Sequence, residues 1–290
     1  MAQAEIYELP PHACEISMTA VAAARFDRRK GAVEAVECRR LAEGCVTPSL
    51  QETNLARPAA VAEALAAAMQ SVAGGGREVA AVVPDAAARV LLLEFDTLPE
   101  RSEEAEPLIR FRLKKALPFD LDEAVLSYQS FRGGKGVGVL AVIMLRTVRD
   151  EYEAVIRQAG CVPGVLVPST LAALGMIDTE AVTLFLKLDD ATTSVAVTGG
   201  GRLLLFRTHE GGSGLNAHQI AEDVHPSLVY LQDTHAVQPE RIVLSGAGDA
   251  SELAALLREE SGARVEVLGG EAGSDTVPPE AAGCVGVLLG

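Results

Sequence analysis

The sequence predicts an α/β protein built as two similar lobes, and three observations carry that prediction. Short apolar and β-branched runs alternate with alanine- and leucine-rich helical stretches, the grammar of layered α/β folds. Each half opens with a strand–turn–strand unit, first over residues 13–39 and again over 182–208. The supersecondary order repeats although the residues do not, which implies a duplicated architecture with a cleft between lobes, a common place for a ligand. The expected division is a first lobe over 1–178 and a second over 179–290.

Taken in order, residues 1–12 read as a tail that Pro10 and Pro11 end. Ala13 to Phe26 is one β-leaning run, Asp27-Arg28-Arg29-Lys30-Gly31 a turn, and Ala32 to Arg39 a returning strand. Residues 41–57 read as irregular chain. A helix is expected from Pro58, a residue suited to the first helical position, to the glycines at 74–76. Glu78–Pro84 and Arg89–Phe95 are strands. Ser102-Glu103-Glu104 opens a helix that carries PLIRFRLKKAL to Pro118, with its acids near the positive dipole end.

Two strands then flank a glycine turn at 133–136, Arg146–Ala159 is a helix, and a short strand and helix cover 165–176. The second half continues with strands at 182–188, 194–197 and 202–208. A helix over 214–234, a strand at 241–244, a glycine-containing turn Ser245-Gly246-Ala247-Gly248, a helix at 251–262, a strand at 264–268 and a small-residue helix at 280–289 complete it.

Composition narrows the function. With 290 residues, 49% of them hydrophobic, the chain is long enough for a substantial core. It carries 25 Lys and Arg against 40 Asp and Glu, a net charge of −15. Such a chain repels phosphate backbones, and the absence of Trp removes the best stacking side chain, so nucleic-acid binding is disfavoured. Five scattered cysteines without CxxC spacing read as reduced, buried thiols. No run is long enough for a membrane helix and no signal-peptide pattern opens the chain, so a cytoplasmic location is expected, with any membrane association through a partner.

Two stretches carry a family resemblance. Residues 79–129, VAAVVPDAAARVLLLEFDTLPERSEEAEPLIRFRLKKALPFDLDEAVLSYQ, and residues 241–268, RIVLSGAGDASELAALLREESGARVEVL, resemble the PilM family of type IV pilus assembly proteins. The closing EAAGCVGVLLG resembles the family's C-terminal helix. The resemblance implies an actin-like (ribonuclease H-like) duplicated fold with a subdomain inserted in the first lobe, here about residues 78–146. It also implies ATP with Mg²⁺ in the cleft, and the cytoplasmic tail of an inner-membrane PilN-like protein as partner.

An actin-like site needs two phosphate-gripping hairpins, each with an acid, a glycine and small hydroxyl residues, so that backbone N–H groups approach phosphate. Here the first is Cys14 to Ala22, with Glu15 at the acid position, Ser17 in place of glycine, and Thr19 beyond. In the second, Leu186 to Ser194, Lys187 stands at the acid position and Asp189 at the glycine, followed by Asp190, Thr192, Thr193 and Ser194. Adjacent carboxylates oppose a triphosphate; a like-charge pair at about 4 Å costs roughly 4 kcal/mol at an effective dielectric of 20. Glu15 and Lys187 are therefore expected to pair as a clamp between lobes in place of nucleotide. Ser245, Gly246 and Gly248 would lie against adenosine, or simply meet the φ angles of a strand-to-helix turn.

Arg110, Arg112, Lys114 and Lys115 form the main basic cluster; with Leu113, Leu117 and Phe119 they make the expected docking region for a partner tail, against the plainer reading of a solvated helix face. His218, Glu222 and His225 share helical spacing but lack HExxH, so solvated polarity is the simpler reading. No GxSxG elbow or P-loop occurs. Three readings stay open: a pilus-assembly scaffold with a weakened ATP site, an active actin-fold ATPase or sugar-kinase-like phosphotransferase, and a type II secretion or cell-division relative.

Overall fold

Residue 17 turns the expected Ala13–Phe26 run into two strands. A computed structural model describes residues 9–72, 74–132, 136–246, 250–268 and 277–290. In it, β1 (His12–Ile16) and β2 (Ala20–Asp27) are antiparallel neighbours. Ser17 N–H and Oγ–H both donate to the Ala20 carbonyl, at 2.9 and 3.0 Å, and Ala20 N–H donates back to Ser17 Oγ at 3.1 Å. A serine bonding its own turn this way reverses the chain without glycine. The strand expected at Ala32–Arg39 is thus the third of a meander, β3 (Ala32–Arg40).

Helix α1 (Pro58–Ser71) starts at its proline as expected. β4 (Glu78–Val83) and β8 (Val162–Pro168) add in parallel, giving a five-stranded sheet in the order β3-β2-β1-β4-β8. Between them in sequence lie β5 (Arg89–Phe95), α2 (Ser102–Leu113), β6 (Ala124–Arg132), β7 (Val137–Leu145) and α3 (Arg146–Gln158). The three strands form a separate sheet, β5-β7-β6, covered by α2. Helix α2 stops at Leu113, short of the expected Pro118, because Ala116 N–H takes the Leu113 carbonyl at 2.8 Å in a tighter turn.

The second half repeats the design. β9 (Thr183–Leu188), β10 (Thr192–Gly199), β11 (Arg202–Glu210), β12 (Arg241–Ser245) and β13 (Arg264–Val267) form a sheet in the order β11-β10-β9-β12-β13. The first three are an antiparallel meander and the last two add in parallel, matching β3-β2-β1-β4-β8 strand for strand. Helices α5 (Ala217–Tyr230) and α6 (Ser251–Ser261) cover one face. The expected 214–234 helix is α5 followed by a wide turn over Leu231–His235, closed by Ala236 at φ 54°.

Strand period two decides what each face touches. Cys14 and Ile16 face α1 and α3, in one core with the inserted sheet and with Ile109 and Leu113 of α2. Ala13, Ala22, Ala24, Ala80 and Val82 face the other way, onto α7 (Ala282–Leu289). Small residues on both sides let that helix approach closely. A Cβ on Gly286 would lie 2.3 Å from the carbonyl oxygen of Ala172, in α4 (Ser169–Ala173). Residues 282–289, read from sequence with the second lobe, therefore pack on the first sheet. Phe185, Ala196, Val243 and Phe206 of the second sheet meet Ala173, Ala282 and Val90, joining the lobes beneath the cleft.

Candidate functional site

The C-terminal ends of β1, β4, β9 and β12 converge on the cleft, the usual location of ligands in α/β sheets. Its polar residues are almost all engaged with one another. Glu15 lies on the α7 face of β1 and is buried. Its Oε1 accepts from the Ser169 hydroxyl, and Oε2 accepts the Cys284 N–H at 3.0 Å, with the Gly283 N–H beside it. The carboxylate thus caps the first turn of α7, where the helix dipole favours negative charge. Burial pushes its pKa up, against the opposing pull of Lys187, Ser169 and the α7 amides.

Asp85, which follows Pro84 at the end of β4, is the polar link between lobes. It accepts the Thr170 N–H at 3.0 Å, the Thr170 hydroxyl, and, from the opposite lobe, Ser194 Oγ–H at 2.8 Å. A second link joins the hairpin tips. Asp190 accepts from Thr19 Oγ1 at 3.0 Å and from Ser213 Oγ at 3.2 Å.

Asp189 turns inward on its own hairpin. Its Oδ1 accepts the amides of Ala191 and Thr192 at 2.8 and 2.7 Å and the Thr192 hydroxyl at 3.1 Å. These amides belong to the hairpin that the sequence reading expected to grip phosphate. Burial, with the nearby Asp85 charge, holds the Asp189 carboxyl above its ordinary range despite Lys187 and the two amides.

Lys187 is the cation of this cluster and lies 6% exposed. Burial opposes its charge, but the carboxylates of Glu15, Asp85, Asp189 and Asp190 outweigh that and raise its pKa. The expected Glu15–Lys187 pair is thus brought into one cavity as an electrostatic couple rather than a direct ion pair. The nearest partners of Glu15 are Ser169 and α7 instead.

The remaining expected site residues divide by face. Thr192 and Ser194 face the first lobe. Thr193 points to the opposite, helix-covered side of β10 with Val195 and Val197, and its buried hydroxyl has no hydrogen-bond partner among the described residues. Ser245 is the parallel-strand partner of Lys187, buried and likewise without a partner for its hydroxyl. Gly246 has φ +80°, and a Cβ there would stand 1.9 Å from the Leu188 carbonyl oxygen, so this glycine serves a close strand approach. Gly248 lies outside the described residues.

No protein-family model and no curated protein matches this chain. Solved structures do. A Bacteroides thetaiotaomicron protein of actin-like ATPase fold and unknown function matches at TM-score 0.55 and 11% identity, over 88% of this chain and 89% of that one. The PilM–PilN type IV pilus biogenesis complex matches at TM-score 0.76 and 20% identity, over 97% of this chain and 98% of that one. This chain has the actin-like fold. The cytoplasmic domain of EpsL, an inner-membrane component of the Vibrio cholerae type II secretion system, shares it at TM-score 0.53 and 12% identity, over 86% and 93% of the two chains.

The actin-like fold implies ATP with Mg²⁺, and the residues of this cleft do not fit them. The cavity lined by Glu15, Ser17, Pro84, Ser169, Lys187 and Asp189 measures about 20 Å³. That is room for about one water. Both Glu15 oxygens are taken, and the second hairpin's amides are held by Asp189. Among the described residues, no group of three or more His, Cys, Asp and Glu is arranged to hold a metal. His218 and His225 reach across to Glu252 and Glu260 of α6 instead.

The expected docking cluster also separates. Leu113 is a fully buried core residue and offers no docking surface, because the α2 period turns it inward with Ile109. Arg110 is tied to Glu106 at 2.7 Å and to the Leu121 carbonyl at 3.1 Å. Leu117 and Phe119 are partly buried against the core, and Arg112 is exposed. Asp85, Ser169, Thr170 and Cys284 were not singled out by the sequence reading. A shared signal existed for three of them: a proline followed by polar residues closes each strand, Pro84-Asp85 just past β4 and Pro168-Ser169-Thr170 at the end of β8.

Proposed function

We propose that this chain is an actin-fold scaffold of type IV pilus assembly that holds the cytoplasmic tail of a PilN-like inner-membrane protein, with its cleft closed by its own residues rather than by nucleotide. The observation that carries the reading is the likeness to the PilM–PilN complex, which covers nearly all of both chains. The filled cleft supports the second half. In the scaffold reading the protein sits at the inner membrane only through its partner. No helix among the described residues is long and apolar enough to cross a membrane.

A groove suits the tail. It lies between β6, an edge strand of the inserted sheet, and β8, an edge strand of the five-stranded sheet. Leu126, Val142, Met144, Arg149 and Val165 line it, and its volume is about 180 Å³. Apolar walls with a charged side chain at the rim, beside open strand edges, match the recognition of an extended peptide. This groove replaces the α2 cluster as the preferred docking site.

The test is a titration of the protein with a fluorescent PilN-like tail peptide, with and without ATP and Mg²⁺. Capture that ATP does not change, and that Leu126→Glu abolishes in a folded protein, is the expected result. No capture sinks the scaffold reading. Saturable micromolar ATP binding sinks the closed cleft and revives the ATPase or phosphotransferase alternative. The EpsL likeness keeps a type II secretion role as the second reading, with the smaller TM-score against it.

A further inference from the structure

We propose that a cavity between the inserted sheet and the second lobe binds a small apolar zwitterion, with the chemistry of an amino acid or dipeptide bearing apolar side chains. The face of the inserted sheet turned away from α2 makes the site. Val90 and Leu140 on that face pack against Phe206 and Leu203 of the second lobe. Further along the strands the same face borders a cavity of about 390 Å³, whose other wall is the start of β11 and the turn after α5. Pockets of roughly 300–1,000 Å³ at domain interfaces are the usual places for small ligands. The cleft itself leaves only about 20 Å³, so the larger space between the lobes is this one.

The sheet wall carries a carboxylate and a ring. Glu94 of β5 pairs with Gly138 of β7, which pairs with Phe131 of β6, so the three form one row. A Cβ on Gly138 would stand 2.3 Å from Phe131 Cε2, so glycine lets the ring lie across the middle strand. The Glu94 carboxylate has no hydrogen bond or ion pair among the described residues. The opposite wall is cationic. Arg202 donates from Nη1 to the Arg132 carbonyl at 3.1 Å, and the rest of its guanidinium has no partner among the described residues. His235 lines this wall edge-on to Tyr230, with ring centroids 5.8 Å apart, and its buried Nε2 has no partner among the described residues. Arg207 already lies over the Tyr230 ring, 5.4 Å from its centroid, which leaves Phe131 as the ring for a ligand cation.

Charge decides the ligand class. Glu94 and Arg202 line one cavity from opposite walls without pairing to each other. An anion would meet Glu94, and a cation would meet Arg202. A neutral apolar ligand would strip water from both and leave both unpaired, which is costly. A zwitterion with an apolar body satisfies all of the lining. Its ammonium goes to Glu94 beside the Phe131 ring, its carboxylate takes the Arg202 fork, and its side chain meets Leu92, Leu203 and Leu204. A cavity of roughly 150 Å³ accepts benzene, so this one takes an aromatic side chain together with its backbone. The inference stands apart from the scaffold reading, because the cavity shares no lining residue with the β6–β8 groove or the cleft.

Isothermal titration calorimetry with L-phenylalanine and with L-leucyl-L-phenylalanine tests it. Saturable binding at one site per chain is expected for at least one of them, and the tighter of the two assigns the site to free amino acids or to peptides. The N-acetyl form of each probe lacks the ammonium, and the C-terminal amide form lacks the carboxylate. Each is expected to bind about tenfold more weakly, the worth of one charge-assisted contact. Glu94→Gln should weaken the zwitterion by about the same factor and leave the N-acetyl form unchanged, because that form has no ammonium to lose. Arg202→Gln should weaken the zwitterion likewise and leave the amide form unchanged. Both side chains are exposed, so unchanged circular dichroism and melting confirm folded variants. No saturable binding of either probe up to about 10 mM overturns the proposal. So does binding that acetylation and amidation leave unaltered, or that survives both substitutions.

Discussion

The Ser194 hydroxyl donates to the Asp85 carboxylate at 2.8 Å, a buried hydrogen bond between residues 109 positions apart that ties β10 of one sheet to the end of β4 in the other. Asp85 accepts two further bonds from Thr170, so a single carboxylate holds three donors from two lobes. Between its lobes, this protein holds its own side chains against one another.

Asp85→Ala leaves the donors of Thr170 and Ser194 without their acceptor and takes one negative neighbour from Lys187. The expected loss is about 3 kcal/mol or more in unfolding free energy, against about 1 kcal/mol for Ser194→Ala, which leaves Asp85 its Thr170 bonds. Urea unfolding of both variants and of the pair checks it. Equal effects would show that Asp85 acts through Ser194 alone.

Lys187→Met removes the cation that faces Glu15, Asp85, Asp189 and Asp190. At neutral pH it should destabilise by roughly 3–5 kcal/mol. The pH dependence has a definite sign. Glu15 and Asp189 have raised folded pKa values, so their contribution is whole below their unfolded values and is lost as pH rises through the folded ones. Without Lys187 that loss steepens, and the gap between wild type and variant should widen from about pH 4 to pH 7. Lys187 itself is raised, so its stabilising contribution in wild type holds below its unfolded pKa of about 10.5 and fades at higher pH. Stability curves against pH decide this; a gap that narrows toward pH 7 refutes it.

Asp189→Ala frees the amides of Ala191 and Thr192 and should cost about 1–2 kcal/mol, the usual worth of a side chain that caps backbone N–H groups. Asp189→Asn keeps the Oδ1 acceptor and loses the charge beside Asp85. It should retain most of the stability, as thermal melts will report.

Burial sets thiol reactivity. It raises Cys14, Cys161 and Cys284, and pushes half-buried Cys38 to about 11. A thiol reagent at pH 8 should label the native protein slowly and all five cysteines at once after denaturation. Fast labelling of Cys284 in native protein would mean that α7 opens from the first sheet.

On α2, Leu113→Ala should cost about 2–5 kcal/mol, and Arg112→Ala should stay within about 0.5 kcal/mol. The contrast separates the core face of the helix from its outer face, and denaturant midpoints measure it.

The architecture was largely legible because strand and helix periods repeat in both halves, and because β9–β11 echoes β1–β3 in turn chemistry. The cleft was legible only in part. Asp189 at the expected glycine position was read as opposing phosphate, but not as binding the hairpin's own amides, which depends on a side-chain rotamer. Leu113 was misplaced because a basic run draws attention to charge, whereas Ile109 and Leu113 at helical spacing fix the buried face. Cys284 stayed hidden for another reason: its partner lies 269 residues away, and no local pattern encodes such a distance.

The bond from Cys284 N–H to Glu15 joins the first strand to a helix 269 residues further along the chain. Until residues 282–289 have been made, the face formed by Ala13, Ala22, Ala24, Ala80 and Val82 lacks the helix that covers it. The first lobe therefore matures late and backwards, waiting for residues 282–289. A product that lacks α7 would leave that bare alanine face open to solvent.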